Sequence, residues 1–311
     1  MNRARGITVL AVAIAFSGMS AIAGPVVTYD VVVSNVRAID PETGLDAIRN
    51  FGISGDRIAA VSDKALRGRR TVDGRGLVAA PGFIDLHSHA YGYETATYQA
   101  MDGVTTRLEL EIGVYPVKAW YDRKAGHELI NYGASVSHNV VRFLLQLGGG
   151  VGDPRMAGET FDDIFGDPRY DELSRKPIPA GVYDRFVPML ESGLDDGAIG
   201  IGTQYAPGIS RQEMLDLTGV AGRRHVCVFT HIRYGSLVEP GSTLEAVQEQ
   251  IANAAITGSC VHIVHINSMA MSSTPAMIEL FHEARDHGVD VSTEIYPWDA
   301  SSDSIRSVIF D

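Results

Sequence analysis

From Pro81-Gly82 onward the chain alternates short apolar runs, each the length of one strand, with longer stretches of helical character, and few folds accommodate that rhythm. Seven runs stand out: Phe83 to His87, Thr105 to Glu111, Leu129 to Ser135, Ala198 to Gly202, Val226 to His231, Cys260 to His265 and Val289 to Tyr296. A helix between two strands returns the chain to the end where the first strand began, so successive strands pair in parallel. The expected fold class is therefore α/β, a (β/α)8 TIM-type barrel that is C-terminally incomplete, with about seven strands present. Before it, from Tyr29 to about Ala80, short strands and turns (Tyr29-Asp-Val-Val-Val33, Pro41-Glu-Thr-Gly44, Ile53 to Val61) predict a small β segment. The stretch from Gly149 to Pro179, rich in Gly, Asp, Arg and Pro, reads as a long loop over one end of the barrel.

Arg3 and Arg5 precede an apolar run from Ile7 to Phe16, and Ala21-Ile-Ala23 fits the small-residue cleavage pattern. Residues 1–23 are thus expected to be a signal peptide, with 24–80 the β segment and 81–311 the barrel. The apolar run falls short of the roughly 20 residues that span a bilayer, so cleavage is expected rather than anchoring, and a periplasmic or secreted protein with no membrane contact. Cys227 and Cys260 both lie in apolar runs and read as buried thiols, with a single disulfide as the alternative that export allows. A net charge of -12 offers no basic patch, which argues against nucleic acid and anionic membranes as partners. The oligomeric state is open.

Alternation along a strand turns residues i and i+2 to one face about 6.5–7 Å apart, so His87 and His89 can converge on one ion. A His-x-His pair alone is more often structural. Its position at the end of the first barrel strand changes that, because barrel enzymes keep their chemistry at the carboxyl ends of strands. His231 closes Val226-Cys-Val-Phe-Thr-His231 and His265 closes Val261-His-Ile-Val-His265. Histidines thus recur at three strand ends, and imidazole with carboxylate is a zinc-like donor set. His262, three residues before His265, is expected on the opposite face in a structural role. Arg107-Leu-Glu-Leu-Glu-Ile-Gly113 places Glu109 and Glu111 in an apolar stretch, where a buried carboxylate needs a metal or an ion pair with Arg107.

Several segments in order resemble the amidohydrolase superfamily, and within it the N-acyl-D-amino-acid deacylase (D-aminoacylase) group. They are Gly55-Asp-Arg-Ile-Ala-Ala60, Val78-Ala-Ala-Pro-Gly-Phe-Ile-Asp-Leu-His-Ser-His89, Asp102-Gly-Val-Thr-Thr106, Gly197-Ala-Ile-Gly-Ile-Gly-Thr203, Thr230-His-Ile-Arg233 and Ile295-Tyr-Pro-Trp-Asp-Ala-Ser301. The resemblance implies a barrel beside a small β-sandwich, with His87 and His89 on one zinc ion and His231 and His265 on a second, or on the only one tightly held. It implies a small-molecule N-acyl amino acid as substrate, hydrolysed to a carboxylate and a free D-amino acid. The group's metal-binding Cys after the second strand is replaced by Ile112, so a carboxylate is expected to bridge, with Glu111 favoured over Glu109. The Leu-Glu-Leu-Glu form resembles acyl-D-glutamate deacylases, which points to an acidic substrate side chain.

Asn267 stands where the group has Lys, which leaves Arg233 as the expected anchor for a substrate carboxylate, beside Tyr296, with a surface Arg as the plain alternative. Ser137-His-Asn-Val-Val-Arg142 resembles the group's Gly-His-x-x-x-Arg stretch, which assigns His138 and Arg142 to shaping the substrate pocket. The group's catalytic Asp follows the eighth strand. Asp299 and Asp303 follow the seventh, and Asp311 lacks the following context, so the chain is expected to be a fragment that binds metal poorly and turns over little. Two other readings stand beside this one. A cyclic-amide or dipeptide hydrolase of the same superfamily would bridge its metals with a carboxylated Lys, and Ala198 to Thr203 has no Lys. An exported binding protein with a decayed site would show the same missing Cys and Asp.

Overall fold

A computed structural model describes residues 27–89, 92–156 and 167–300. The signal-peptide reading, Asp303 and Asp311 lie outside the described residues. The chain divides into two units, one ending at Pro81 and one beginning at Gly82.

The first unit contains β1 (Thr28–Asp40), β2 (Leu45–Ser54), β3 (Arg57–Ser62), β4 (Arg67–Asp73) and β5 (Val78–Ala79). Their order is β3-β2-β1-β4, with β5 also on β1. The first three pair antiparallel, while β4 and β5 run parallel to β1. The β1–β2 turn falls on Pro41-Glu-Thr-Gly44, where Gly44 has φ +71° and a side chain would be strained. Among the described residues this is one mixed sheet, and the second layer of a sandwich is not seen.

The second unit is built on β6 (Phe83–Asp85), β7 (Val104–Val114), β8 (Asn131–Ser137), β9 (Gly200–Thr203), β10 (Cys227–Thr230), β11 (Cys260–Ile263) and β12 (Val291–Thr293). Each strand lies beside its predecessor and all pair in parallel, so every carboxyl end opens on the same rim. Val136, Ile201, Val228, Val261, Ile263 and Val291 are fully buried in the layer between sheet and helices. This is the expected incomplete barrel. Helix Thr243–Thr257 shows how local chemistry sets the boundaries: Ser242 and Glu245 form a reciprocal capping box at its start, and Gly258 ends it at φ +67°.

Two expectations change. Described parts of the segment from Gly149 to Pro179 pack instead of looping freely. Helix Pro168–Ser174 sets the Tyr170 ring 5.8 Å from Phe143, and the Tyr170 hydroxyl accepts from Asn139 at 3.1 Å. Cys227 and Cys260 are not free thiols but a disulfide, with Cα atoms 4.4 Å apart. They face each other because the β10–β11 register pairs them directly, a relation that two separate apolar runs do not disclose. Among the described residues no helix is long and apolar enough to cross a membrane.

Candidate metal centre

The rim formed by the carboxyl ends of β6, β7, β10, β11 and β12 carries the polar cluster of the second unit. His87 and His89 follow β6, His231 and Glu294 immediately follow β10 and β12, and His265 stands two residues past β11. Glu109 and Glu111 lie within β7, where that strand bulges: between two registered pairs β7 advances from Glu109 to Val114 while β8 advances only from Ala134 to Val136. Gly113, at φ +68°, accommodates the bulge, and Ser135 Oγ donates to the Leu110 carbonyl within it at 2.6 Å. The backbone irregularity aims Glu111 into the centre.

Glu111 is 3% exposed and meets four imidazoles. Its Oε2 lies 3.0 Å from Nε2 of both His87 and His89, and its Oε1 lies 2.9 Å from His231 Nδ1 and 3.3 Å from His265 Nε2. These atoms form two sets of three donors, His87–His89–Glu111 and Glu111–His231–His265, that share the carboxylate. Four donors about 2.1 Å from a zinc ion in tetrahedral array stand about 3.4 Å apart, so spacings of 2.9–3.3 Å suit a cation between them. The donor chemistry and the cage size both fit one or two divalent ions.

The far nitrogens fix which atom each ring presents. His87 Nδ1 donates to Glu294 Oε1 at 2.5 Å, and His89 Nδ1 donates to Glu109 Oε2 at 2.9 Å. His265 Nδ1 lies 3.0 Å from Ser268 Oγ, whose own hydroxyl donates to the His265 carbonyl at 2.9 Å. All three rings are left with Nε2 turned toward Glu111. Burial opposes charging of His87 and His89, but the surrounding carboxylates outweigh it and push the two rings up to about 10 and about 9. Burial likewise favours a neutral Glu111, yet hydrogen bonds from the four rings hold its carboxyl well below the usual range. A carboxylate ringed by protons is a site where cations can replace them.

The structure thus brings together His87, His89, Glu111, His231 and His265, and sets Glu109 behind His89 rather than among the donors. Arg107 pairs with neither acid of its strand. It meets Glu128 at 2.5 Å in a buried pair. Arg233 is not free for a substrate carboxylate, since Glu249 grips it at 2.6 Å and 2.8 Å with both side chains buried. His138 is fully buried, bonded to Thr203 Oγ1 and to Glu213 Oε1 at 2.7 Å each, and Arg142 meets the same Glu213 oxygen at 2.5 Å. That buried trio joins helix His138–Gln146 to helix Arg211–Arg224. Asn267 Nδ2 donates to the Tyr296 carbonyl at 3.3 Å, and its buried Oδ1 has no partner among the described residues.

Sequence reasoning missed Glu294. His262, within β11, meets Glu294 at 3.3 Å and Ser292 at 2.9 Å and stays outside the donor set, while His265, at φ +31° beyond the strand, turns to join it. The signal for Glu294 was present as an acid in the seventh apolar run, at the position that holds a histidine after β10.

No family model matches the chain. In sequence it is 28% identical over 299 residues to an N-acyl-D-glutamate deacylase of Alcaligenes xylosoxydans xylosoxydans, and 26% identical over 294 residues to an allantoinase of Escherichia coli O139:H28. Those alignments cover 88% and 87% of this chain but only 58% and 59% of the relatives. Among solved structures it resembles an N-acyl-D-glutamate deacylase of Bordetella bronchiseptica complexed with zinc and a phosphonate inhibitor (TM-score 0.67, 22% identity, 87% of this chain, 59% of that one). A D-aminoacylase studied for its binuclear metal centre has a TM-score of 0.65, 22% identity and the same coverage of both chains. In sequence the chain is thus similar to an N-acyl-D-glutamate deacylase and to allantoinases, and in fold it resembles the D-aminoacylases and an N-acyl-D-glutamate deacylase.

Proposed function

We propose that this chain supplies the divalent-cation centre of an amidohydrolase that cleaves the acyl amide of an N-acyl-D-amino acid. One observation carries the reading: a single buried carboxylate, Glu111, lies between two histidine pairs drawn from three strand ends. When bound, zinc would polarise the amide carbonyl and bring the pKa of the attacking water toward 7. His87 and His89 would hold one ion, His231 and His265 the other, with Glu111 between them. Glu109 and Ser268 fix the rings of His89 and His265, so the donors need not reorganise.

The finer reading is that the substrate is N-acyl-D-glutamate, and sequence similarity supports it. The commitment of Arg233 to Glu249 removes the anchor nominated for a substrate carboxylate. The cyclic-amide alternative draws on the similarity to allantoinase. Against it, β9 (Gly200–Thr203) carries no lysine, while Glu111 lies between the two histidine pairs. Export to the periplasm or beyond is part of the proposal, supported by the disulfide, which oxidising compartments preserve.

The test is metal analysis of the purified protein together with hydrolysis of N-acetyl-D-glutamate, N-acetyl-L-glutamate and allantoin. We expect one to two equivalents of zinc, loss of at least one in His231→Ala, and what turnover there is confined to the D-acyl substrate. Absence of stoichiometric metal, with His231→Ala indistinguishable from wild type, would leave a non-catalytic binding protein as the reading. Turnover of allantoin alone would shift it to a cyclic-amide hydrolase.

A further inference from the structure

Behind His87 runs a chain of polar side chains that the metal centre itself does not use. His87 Nδ1 meets Glu294 Oε1 at 2.5 Å, Glu294 Oε2 meets His262 Nε2 at 3.3 Å, and His262 Nδ1 meets Ser292 Oγ at 2.9 Å. One proton polarity satisfies every link. The Ser292 hydroxyl donates to His262 Nδ1, His262 Nε2–H donates to one carboxylate oxygen, His87 Nδ1–H donates to the other, and the His87 Nε2 lone pair is left facing the donor set.

The placement is unusual. β6 and β12 are the two outermost strands of the seven-stranded sheet, yet the residues just past their ends, His87 and Glu294, are in direct contact. Backbone bonds hold the acid on the β11 side: Glu294 N–H donates to the Ile263 carbonyl at 3.4 Å, and Ile266 N–H donates to the Glu294 carbonyl at 3.1 Å. His262 is itself buried, its ring 5.8 Å from that of Phe229. Glu294 is therefore pinned by its own backbone and by His262 before it touches His87.

We propose that Glu294 is the positioning residue of the His87–His89 half of the centre. It locks His87 in the Nδ1–H form, aims Nε2 at the cation, and is itself aimed by His262 and Ser292. The inference rests on the metal reading above. It predicts an asymmetry, because His87 and His89 are both backed by carboxylates, Glu294 and Glu109, whereas His265 is backed by the hydroxyl of Ser268. Anionic partners raise the donor strength of a ligating imidazole, and losing one typically costs about 10–100-fold in metal affinity.

The test is zinc and cobalt titration of the purified protein, of Glu294→Ala, Glu294→Gln and His262→Phe, and of the same variants with His231→Ala, which isolates the His87–His89 half. Glu294→Ala is expected to weaken the ion held by that half about 10–100-fold, and the other ion no more than about threefold. Glu294→Gln, which keeps an acceptor without the charge, should lose less. His262→Phe should lose less than Glu294→Ala and add nothing when combined with it, since both act through one contact. Equal weakening of both ions, unchanged affinity in Glu294→Ala, or full additivity with His262→Phe would overturn the proposal. If Glu294→Ala does not fold, as judged by circular dichroism, Glu294→Gln and His262→Phe decide by the same split. Wild-type protein that takes up no metal would instead refute the metal reading itself.

Discussion

Glu111 and Glu109 are separated by one residue and differ in what they hold. Glu111 touches both histidine pairs, so Glu111→Ala should abolish binding of both ions and lower hydrolysis by at least about 100-fold, since a shared ligand is lost. Glu109 accepts from the far nitrogen of His89 and from the Ile112 N–H, so Glu109→Ala should keep both ions at an affinity about 10–100-fold lower for one of them. Zinc titration of the two variants separates these roles, and equal losses would show that Glu109 is a ligand. His138 gives a second residue-scale prediction. Burial holds its ring below the ordinary imidazole value despite the nearby Glu213, so the folded protein carries it neutral. The sign follows from linkage: the unfolded chain takes up a proton below about pH 6.5 that the folded chain resists, and stability falls as pH drops through that point. In zinc-free protein His87 and His89, with raised values, act in the opposite direction over the same range, so the check is a difference: between pH 7 and 5 the thermal midpoint of the wild type should fall relative to that of His138→Gln.

At the scale of elements, β7 is the strand whose irregularity builds the centre, and β9 supports it from behind. A side chain at Gly202 would press on the Ser135 hydroxyl and the Leu110 carbonyl, and would stand 2.6 Å from the Glu111 carbonyl. Gly202→Ala should therefore push β7 away from β9, costing about 1–3 kcal/mol as overpacking and weakening both ions together. A melting curve and a zinc titration check this, and normal metal affinity in a destabilised variant would sink the link to the site. The disulfide ties the opposite ends of the two strands that deliver His231 and His265. Closing a loop of sequence separation 33 removes unfolded-state entropy equivalent to roughly 3–4 kcal/mol in the chain-entropy account. Cys227→Ser is expected to melt several degrees lower than wild type under oxidising conditions and to match it in strong reductant. The seven strands themselves were legible in the sequence, because periodicity and turn chemistry are local. The last, expected from Val289 to Tyr296, spans only Val291–Thr293.

At the scale of the whole molecule, the donors come from positions between His87 and His265, so binding a cation draws together a large part of the second unit. A ligand that binds only the folded state stabilises by about 2.7 kcal/mol at a hundredfold excess over Kd. Zinc should therefore raise the thermal midpoint by about 5 °C or more, and a chelator should reverse it, with Glu111→Ala insensitive to both. The same zinc titration tests the expectation that this chain binds metal poorly, starting from donors that already stand within 4.8 Å of one another in two sets of three. By itself the sequence determined the parallel βα architecture, the histidines at the strand ends and the two acids in the second strand, because each follows from local periodicity. It could not determine which acid bridges, what Arg233 and His138 bond to, that Cys227 meets Cys260, or that Glu294 reaches His87. Those facts depend on strand register, a bulge in β7 and the curvature that brings the outermost strand ends together. All of these are settled by packing between segments far apart in the chain, which no local pattern encodes.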